Sequence, residues 1–341
     1  MPPTLPAIGP ESGEMLALID ASLRRVEEAF DLALRSDLPP VQRLVSHLES
    51  YRGKMLRPSL VLLCGLAASE PPAPAAPLSD AHITIAAVCE MIHMATLVHD
   101  DVLDEADIRR KGATVNRLRG NEAAVVLGDY VFSAAYRLCS TLAGERGRHA
   151  ALLIGQTGMT LCAGELLQLH HRRNFSIDEP TYFEIVKRKT GSLIAVACRL
   201  GAEQSGADAD LAARFELFGL KLGVAFQIQD DLLDLTGDQG VVGKPLRKDA
   251  ELGKLTLPII HHLAAATPPL RIRTLLLLDE FSPTGGARLL DALESTRSID
   301  HAHGAARRLV EEAKSLLAPI ADSPAKHALL AMADQVVSRA W

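Results

Sequence analysis

The feature that most constrains this chain is one acidic pattern that occurs twice, each time at the end of an apolar helical segment. The stretch "IHMATLVHDDVLDEAD" carries Asp100, Asp101 and Asp104, and "FQIQDDLLDLTGD" carries Asp230, Asp231 and Asp234. Both read D-D-x-x-D, a pattern expected only about 0.1 times by chance in a chain like this. On a helix, positions i and i+4 share a face about 6 Å apart, with i+1 beside them. Each triplet is therefore a compact carboxylate patch. Acids at a helix C-terminus oppose the helix dipole by about 0.3–1 kcal/mol each, and the three also repel one another. A cation offsets both costs. All-oxygen ligands with open positions suit Mg²⁺, which takes one or two carboxylates and fills its other positions with water or phosphate. Mn²⁺ is an alternative ion.

The segments leading into the patches decide the fold class. From 80 to 104 apolar residues run nearly all round the helical cylinder, which places that helix in the middle of a bundle. Helical periodicity recurs at about 13–34, 40–52, from Pro58, 121–143, 148–170, 178–189, 191–204, 207–235, 255–266, 285–296 and 302–339. Apolar residues make up 48% of the chain but aromatics only 4%, so the core is Leu, Ala and Val, which favours helices. No long stretch alternates with period two. The expected fold is all-α, a single large helical bundle covering 1–341 with a central cavity, residues 1–12 frayed, and no domain boundary.

Other function classes are disfavoured. A net charge of −6 advertises no nucleic-acid face. The five cysteines sit singly among apolar residues, as buried thiols do in a reducing compartment. The N-terminus lacks a signal-peptide pattern, and the apolar run 83–98 is short for a membrane span and holds Glu90 and His93. A cytoplasmic protein without a transmembrane segment is expected.

Bases near the patches suggest what the metal would hold. Arg109 and Arg110 follow the first patch, "RGKMLRP" puts Lys54 and Arg57 at a helix start, "KRKTGSL" contains Lys189 and Thr190, and Lys244, Lys248 and Lys254 follow the second patch. Metal on one side and cations on the other describe a bound phosphate. No nucleotide-type glycine loop exists, so a diphosphate on an apolar body fits best.

With "GKMLRP", the first aspartate-rich stretch, "GELLQL", "KTGSL", "FQIQDDLLD" and "GKPLRKDAELGKLTLP" in this order, the chain resembles the trans-polyprenyl diphosphate synthases from about residue 50 to 260. Arg52 stands where the family has a first Gly, Met55 where it has Arg, and Lys111 and Arg247 where it has Gly. The resemblance implies that Asp100, Asp101, Asp104, Asp230, Asp231 and Asp234 bind about three Mg²⁺ ions. It implies that Arg109, Lys189, Thr190, Gln227 and Lys244 bind an allylic diphosphate. Lys54, Arg57, His93 and Arg110 would hold isopentenyl diphosphate, with Lys254 a further substrate-binding residue. It also implies a homodimer. Spacing supports part of this: His93, Leu97, Asp100 and Asp104 lie on one face, as do Gln227, Asp230, Asp231 and Asp234. His99 reads as core, His261 and His262 lack ligand spacing, and Gln156, Glu165 and Gln168 are either core contacts or site lining.

The expected activity is condensation of isopentenyl diphosphate with farnesyl or geranylgeranyl diphosphate. The tail would run along the helix upstream of Asp100, past Ile92, Ala95 and Thr96. Short-product members carry an aromatic at the Ala95 level, so a long all-trans product is expected, with a geranylgeranyl or farnesyl product as the competitor. A floor formed by Phe132, Tyr136 or Met159 would limit that length. A class I terpene cyclase would not need Lys54, Arg57 and His93. A non-catalytic subunit of a heteromeric synthase would have lost one acid patch.

Overall fold

A computed structural model describes residues 13–69, 78–110, 112–237, 248–279 and 285–338. Described elements are helical except for one two-residue hairpin. In chain order they are α1 (Gly13–Leu34), α2 (Pro39–His47) with a 3-10 turn (Leu48–Tyr51), α3 (Leu56–Ala68) and α4 (Asp80–Leu103). The hairpin pairs β1 (Ile108–Arg109) with β2 (Gly112–Ala113), antiparallel, with Ile108 opposite Ala113. Then come α5 (Val115–Arg119), α6 (Asn121–Cys139), α7 (Gly144–His170), α8 (Glu179–Val186) and a π-helical turn (Lys187–Gly191). The chain continues through α9 (Ser192–Gln204), α10 (Ala209–Thr236), α11 (Lys248–Glu251), α12 (Leu257–Ala265), α13 (Pro268–Asp279), α14 (Gly286–Ser295), α15 (Ser298–Leu316) and α16 (Pro324–Ser338). The all-α expectation holds. The helices α5, α11 and α13 lie where no helix is expected, and the span 302–339 is two helices because Pro324 starts the second.

Two compact units are formed by Met1–Gly158, Leu193–Gly219 and Lys314–Met332, and by Met159–Ser192, Leu220–Ala313 and Ala333–Trp341. In the first, α4 packs against α1, α3 and α6, with Ile85, Val88, Met91, Ile92, Met94, Ala95 and Val98 wholly buried. At about 1.5–3 kcal/mol for each large side chain, that burial holds the helix bearing the first acidic patch at the centre of its unit. In the second, Ile228, Leu232 and Leu235 of α10 bury against Tyr182, Val186, Leu257, Ile260, Leu289 and Leu293.

Two helices, α4 and α7, are long and apolar enough to cross a membrane by length and composition, with mean hydropathy 1.5 and 1.3. The α4 window is 72% buried within the chain, so its apolarity serves the core; that of α7 is 33% buried.

Candidate active site

In the first unit the acidic patch closes α4. The Asp104 N–H donates to the Asp100 carbonyl at 2.8 Å, continuing the helix to its last acid. Asp100 and Asp104 are half-buried, whereas Asp101 is 1% exposed. Arg109 on β1 donates to Asp101 Oδ1 from Nε at 2.8 Å, and its Nη2 stands 2.7 Å from the same oxygen. Burial works against the Arg109 charge, but Asp101 and Asp100 outweigh it, so the guanidinium is held more firmly protonated than usual. The loop is pinned beneath this pair. Asn116 Nδ2 donates to the Asp101 and Ala106 carbonyls at 3.2 and 3.1 Å, Thr114 Oγ1 to Ala106 at 2.6 Å, and the Val115 N–H to the Tyr51 hydroxyl at 3.0 Å. Burial pushes the Tyr51 phenol far up, and the Asp101 charge pushes the same way, so it stays neutral. Asp101 Oδ2 is buried without a hydrogen-bond partner.

Other basic residues of this unit lie near His93, about two turns upstream of Asp100. Met55, with φ 52°, is the left-handed residue that turns the chain into α3, leaving Lys54 exposed before the helix and Arg57 in its first turn. His93 is half-buried; burial drives its pKa well down, and Arg57, Arg109 and Arg110 add to that, so the imidazole is neutral. Three residues earlier Glu90 is 4% exposed, within electrostatic reach of Arg57, Arg110 and Arg52. Burial raises its pKa against their pull. Glu90 Oε2 and Arg57 Nε are both buried without partners. Sequence reading passed over Glu90 except as a charge in an apolar run. Ile92 and Ala95 are wholly buried, whereas Thr96, which donates to the His93 carbonyl at 2.8 Å, is half-buried. His99 is not the core residue expected: it is half-buried, 3.1 Å from the Val125 carbonyl and 3.4 Å from Asp129, because its ring reaches across to α6.

In the second unit the other motif lies near the end of α10. Asp230 is half-buried and Asp231 is 5% exposed, both its oxygens taken. The Tyr182 hydroxyl donates to Oδ2 at 2.6 Å and Gln227 Nε2 to Oδ1 at 2.8 Å. Thr190 Oγ1 donates to Gln227 Oε1 at 2.7 Å, which fixes the amide orientation that serves Asp231. Burial and the neighbouring Asp249 and Asp230 charges raise the Asp231 pKa, while the Tyr182 and Gln227 bonds restrain it. Asp234, 4% exposed, accepts the Lys248 and Asp249 N–H groups at 3.3 Å each, at the start of α11. Lys189, in the π-helical turn, donates to Gln168 at 2.9 Å and pairs with Glu165, both on α7. Such turns recur at functional sites because they redirect side chains. Lys254 is 6% exposed. Lys111, Lys244 and Arg247 lie outside the described residues.

One regularity spans both motifs. The second aspartate of each is buried and held by a protein donor beyond the motif, Arg109 for Asp101 and Tyr182 with Gln227 for Asp231, while the first is half-buried. Among the described residues no three His, Cys, Asp or Glu side chains converge as a ready ion cage. Such patches suit a hard cation that completes its shell with water and phosphate.

Residues 39–283 match the Polyprenyl synthetase family model. The chain is similar to a short chain isoprenyl diphosphate synthase of Methanothermobacter thermautotrophicus, 32% identical over 95% of this chain and 99% of that one. It is equally similar to a nonaprenyl diphosphate synthase of Mycobacterium tuberculosis, 33% identical over 95% and 94%. A crystal structure of polyprenyl synthase from Caulobacter crescentus, complexed with calcium and isoprenyl diphosphate, superposes with a TM-score of 0.86 at 28% identity, covering 95% and 96%. The chain belongs to the polyprenyl synthetase family and is a prenyltransferase.

Proposed function

We propose that this enzyme condenses isopentenyl diphosphate head-to-tail with farnesyl or geranylgeranyl diphosphate to give a long all-trans polyprenyl diphosphate. The observation that carries the two-diphosphate reading is that His93, about two turns upstream of the acidic patch, lies within electrostatic reach of Arg57 and Arg110 as well as of Arg109, the arginine that pairs with Asp101.

The acidic residues fit Mg²⁺, because Asp101 Oδ2 is a buried acceptor with no partner and the first acid of each motif is half-open. About three ions would be held by Asp100, Asp101 and Asp104 and by Asp230, Asp231 and Asp234, with the half-open acids taking the larger share. When bound, Mg²⁺ supplies positive charge that stabilises a departing diphosphate. The family resemblance assigns Arg109, Lys189, Thr190, Gln227 and Lys244 to the allylic diphosphate, with Lys254 a further substrate residue. Arg109 is kept charged by Asp101, and Lys189 is aimed by Gln168 and Glu165. Lys54, Arg57 and Arg110 hold the second diphosphate, and neutral His93 donates one hydrogen bond without adding charge. The apolar residues of α4 exclude water from the cation formed as the allylic bond breaks. The isopentenyl double bond attacks that cation, and we assign the proton then lost to the released diphosphate, the base that the reaction itself supplies.

Thr96 supports the long product. It is a small, half-buried side chain three residues from His93 and four from Asp100, on the face that carries both. Ile92 and Ala95 back that wall from inside the core. We further propose a homodimer. Val125, Val126 and Leu152 of the first unit are exposed apolar side chains, as are Met159 and Leu166 of the second, Met159 at 76%.

The test is incubation with farnesyl diphosphate, isopentenyl diphosphate and Mg²⁺, followed by chain-length analysis of the dephosphorylated products. Products longer than geranylgeraniol, abolished by EDTA, are expected. Products that stop at geranylgeraniol overturn the long-chain assignment, and none at all overturns the reaction.

A further inference from the structure

Arg110 reaches its place by an unusual route. Its backbone is left-handed, with φ 56°, and its guanidinium lies back on the peptide between Arg52 and Gly53. Nη1 donates to the Arg52 carbonyl at 2.5 Å. A Cβ on Gly53 would stand 2.3 Å from Arg110 Nη2 and 3.1 Å from Cζ, so any other residue would drive the guanidinium off. The carbonyl that receives Arg110 is itself fixed. The Arg52 N–H donates to Glu49 at 3.2 Å, its guanidinium pairs with Asp31 of α1, and Cζ lies 5.1 Å from the Phe30 ring centroid. Arg52 is also the residue that stands where the family pattern has Gly.

We propose that Arg52 and Gly53 are positioning residues for the second diphosphate, forming a seat that orients Arg110. The seat rests on the reading of Arg110 as a ligand of isopentenyl diphosphate. Gly53 provides the space, the Arg52 carbonyl provides the acceptor, and the Arg52 side chain ties that peptide to α1. An exposed arginine loses rotamer entropy when it is fixed on a ligand. A guanidinium already seated has lost part of that freedom, so it binds the anion more tightly.

The experiment is steady-state kinetics of Gly53→Ala, Arg52→Ala, Arg110→Ala and Gly53→Ala/Arg110→Ala, varying each substrate with the other saturating. Gly53→Ala is expected to raise KM for isopentenyl diphosphate about tenfold, leave KM for the allylic substrate within about twofold, and add nothing on the Arg110→Ala background. Arg52→Ala should show the same split, more weakly, and serves as the test if Gly53→Ala does not fold. An effect of Gly53→Ala that is equal on both substrates, or fully additive with Arg110→Ala, overturns the seat. If Arg110→Ala leaves KM for isopentenyl diphosphate unchanged, the underlying assignment of Arg110 falls and the seat falls with it.

Discussion

His82 gives the first unit a calculable dependence on pH. It is the third residue of α4, and its imidazole completes the capping box at that helix start. The Ser79 N–H donates to Nδ1 at 3.1 Å, and Nε2 stands 3.1 Å from Ser205 Oγ. The ring lies flat on Gly65, where a Cβ would come within 2.7 Å of two ring atoms. The side chain is 1% exposed. Burial pushes its pKa down from 6.5 to about 4, a backbone contact at Gly201 opposing only weakly. The mechanism is geometric. Nδ1 accepts a bond in the cap, so a proton there would set two donors against each other. In the unfolded chain the imidazole titrates near 6.5, and in the folded chain near 4. The folded state thus binds fewer protons between these values. Stability is full above about pH 6.5, declines as pH falls towards 4 and levels off below. At 1.36 kcal/mol per tenfold, the loss is about 3 kcal/mol. Urea denaturation of the wild type and of His82→Asn, from pH 7 to pH 4, measures it. The substituted amide can still accept the Ser79 N–H but does not titrate. The wild type is expected to lose about 3 kcal/mol more than the variant over that range. Parallel pH dependences in the two proteins would refute the reasoning.

The other consequences concern the acidic motifs and the tail. Asp100→Ala and Asp230→Ala should each lower turnover by about a hundredfold or more while the helical circular dichroism persists; near-normal turnover removes these residues from the metal site. Tyr182→Phe deletes a 2.6 Å bond to a buried carboxylate and should cost about 1.5–3 kcal/mol in urea denaturation, with turnover reduced as well; an unchanged midpoint would mean that Asp231 is held by Gln227 alone. Thr96→Phe should shorten the product, since that side chain is half-open, whereas Ala95→Phe enlarges a wholly buried residue and should first destabilise the protein by about 1–3 kcal/mol. Product analysis and melting curves of the two variants separate these effects; shortening by Ala95→Phe alone, without destabilisation, would reverse the assignment.

How far the sequence could be read depends on the range of the interaction concerned. The helix α4 was legible because an apolar cylinder of its length has few places to lie, and the patches were legible because acids are costly at such helix ends. The helix α13 was missed because "PPLRIRTLLLLD" begins with two prolines, which read as a break although the first turn tolerates them. The run from 302 reads as one helix because its apolar spacing continues on both sides of Pro324, where the backbone cannot. Of the three residues expected along the tail, Ile92, Ala95 and Thr96, spacing alone does not say which is open: a helix turns about 100° per residue, and Thr96 is the half-buried one.

The motif itself shows where local reading ends. Written as letters, the first two aspartates of each patch are equivalent. On a helix they point about 100° apart, so if one of them opens toward solvent its neighbour turns into the protein. A buried carboxylate is stable only if donors meet it, and the two units find theirs at different ranges. The first uses Arg109, eight residues onward on β1. The second uses Gln227 one turn back and Tyr182 from 49 residues away. Neither donor follows from the motif, yet each decides how its aspartate is charged and aimed. The same reasoning separates the variants: replacing Asp100 removes an open acid that a metal can use, whereas replacing Asp101 also strands the Arg109 guanidinium. Asp101→Asn should therefore lower stability and raise KM for the allylic diphosphate together, while Asp100→Asn lowers turnover with stability kept. Equal effects on stability would show that the two acids are equivalent after all.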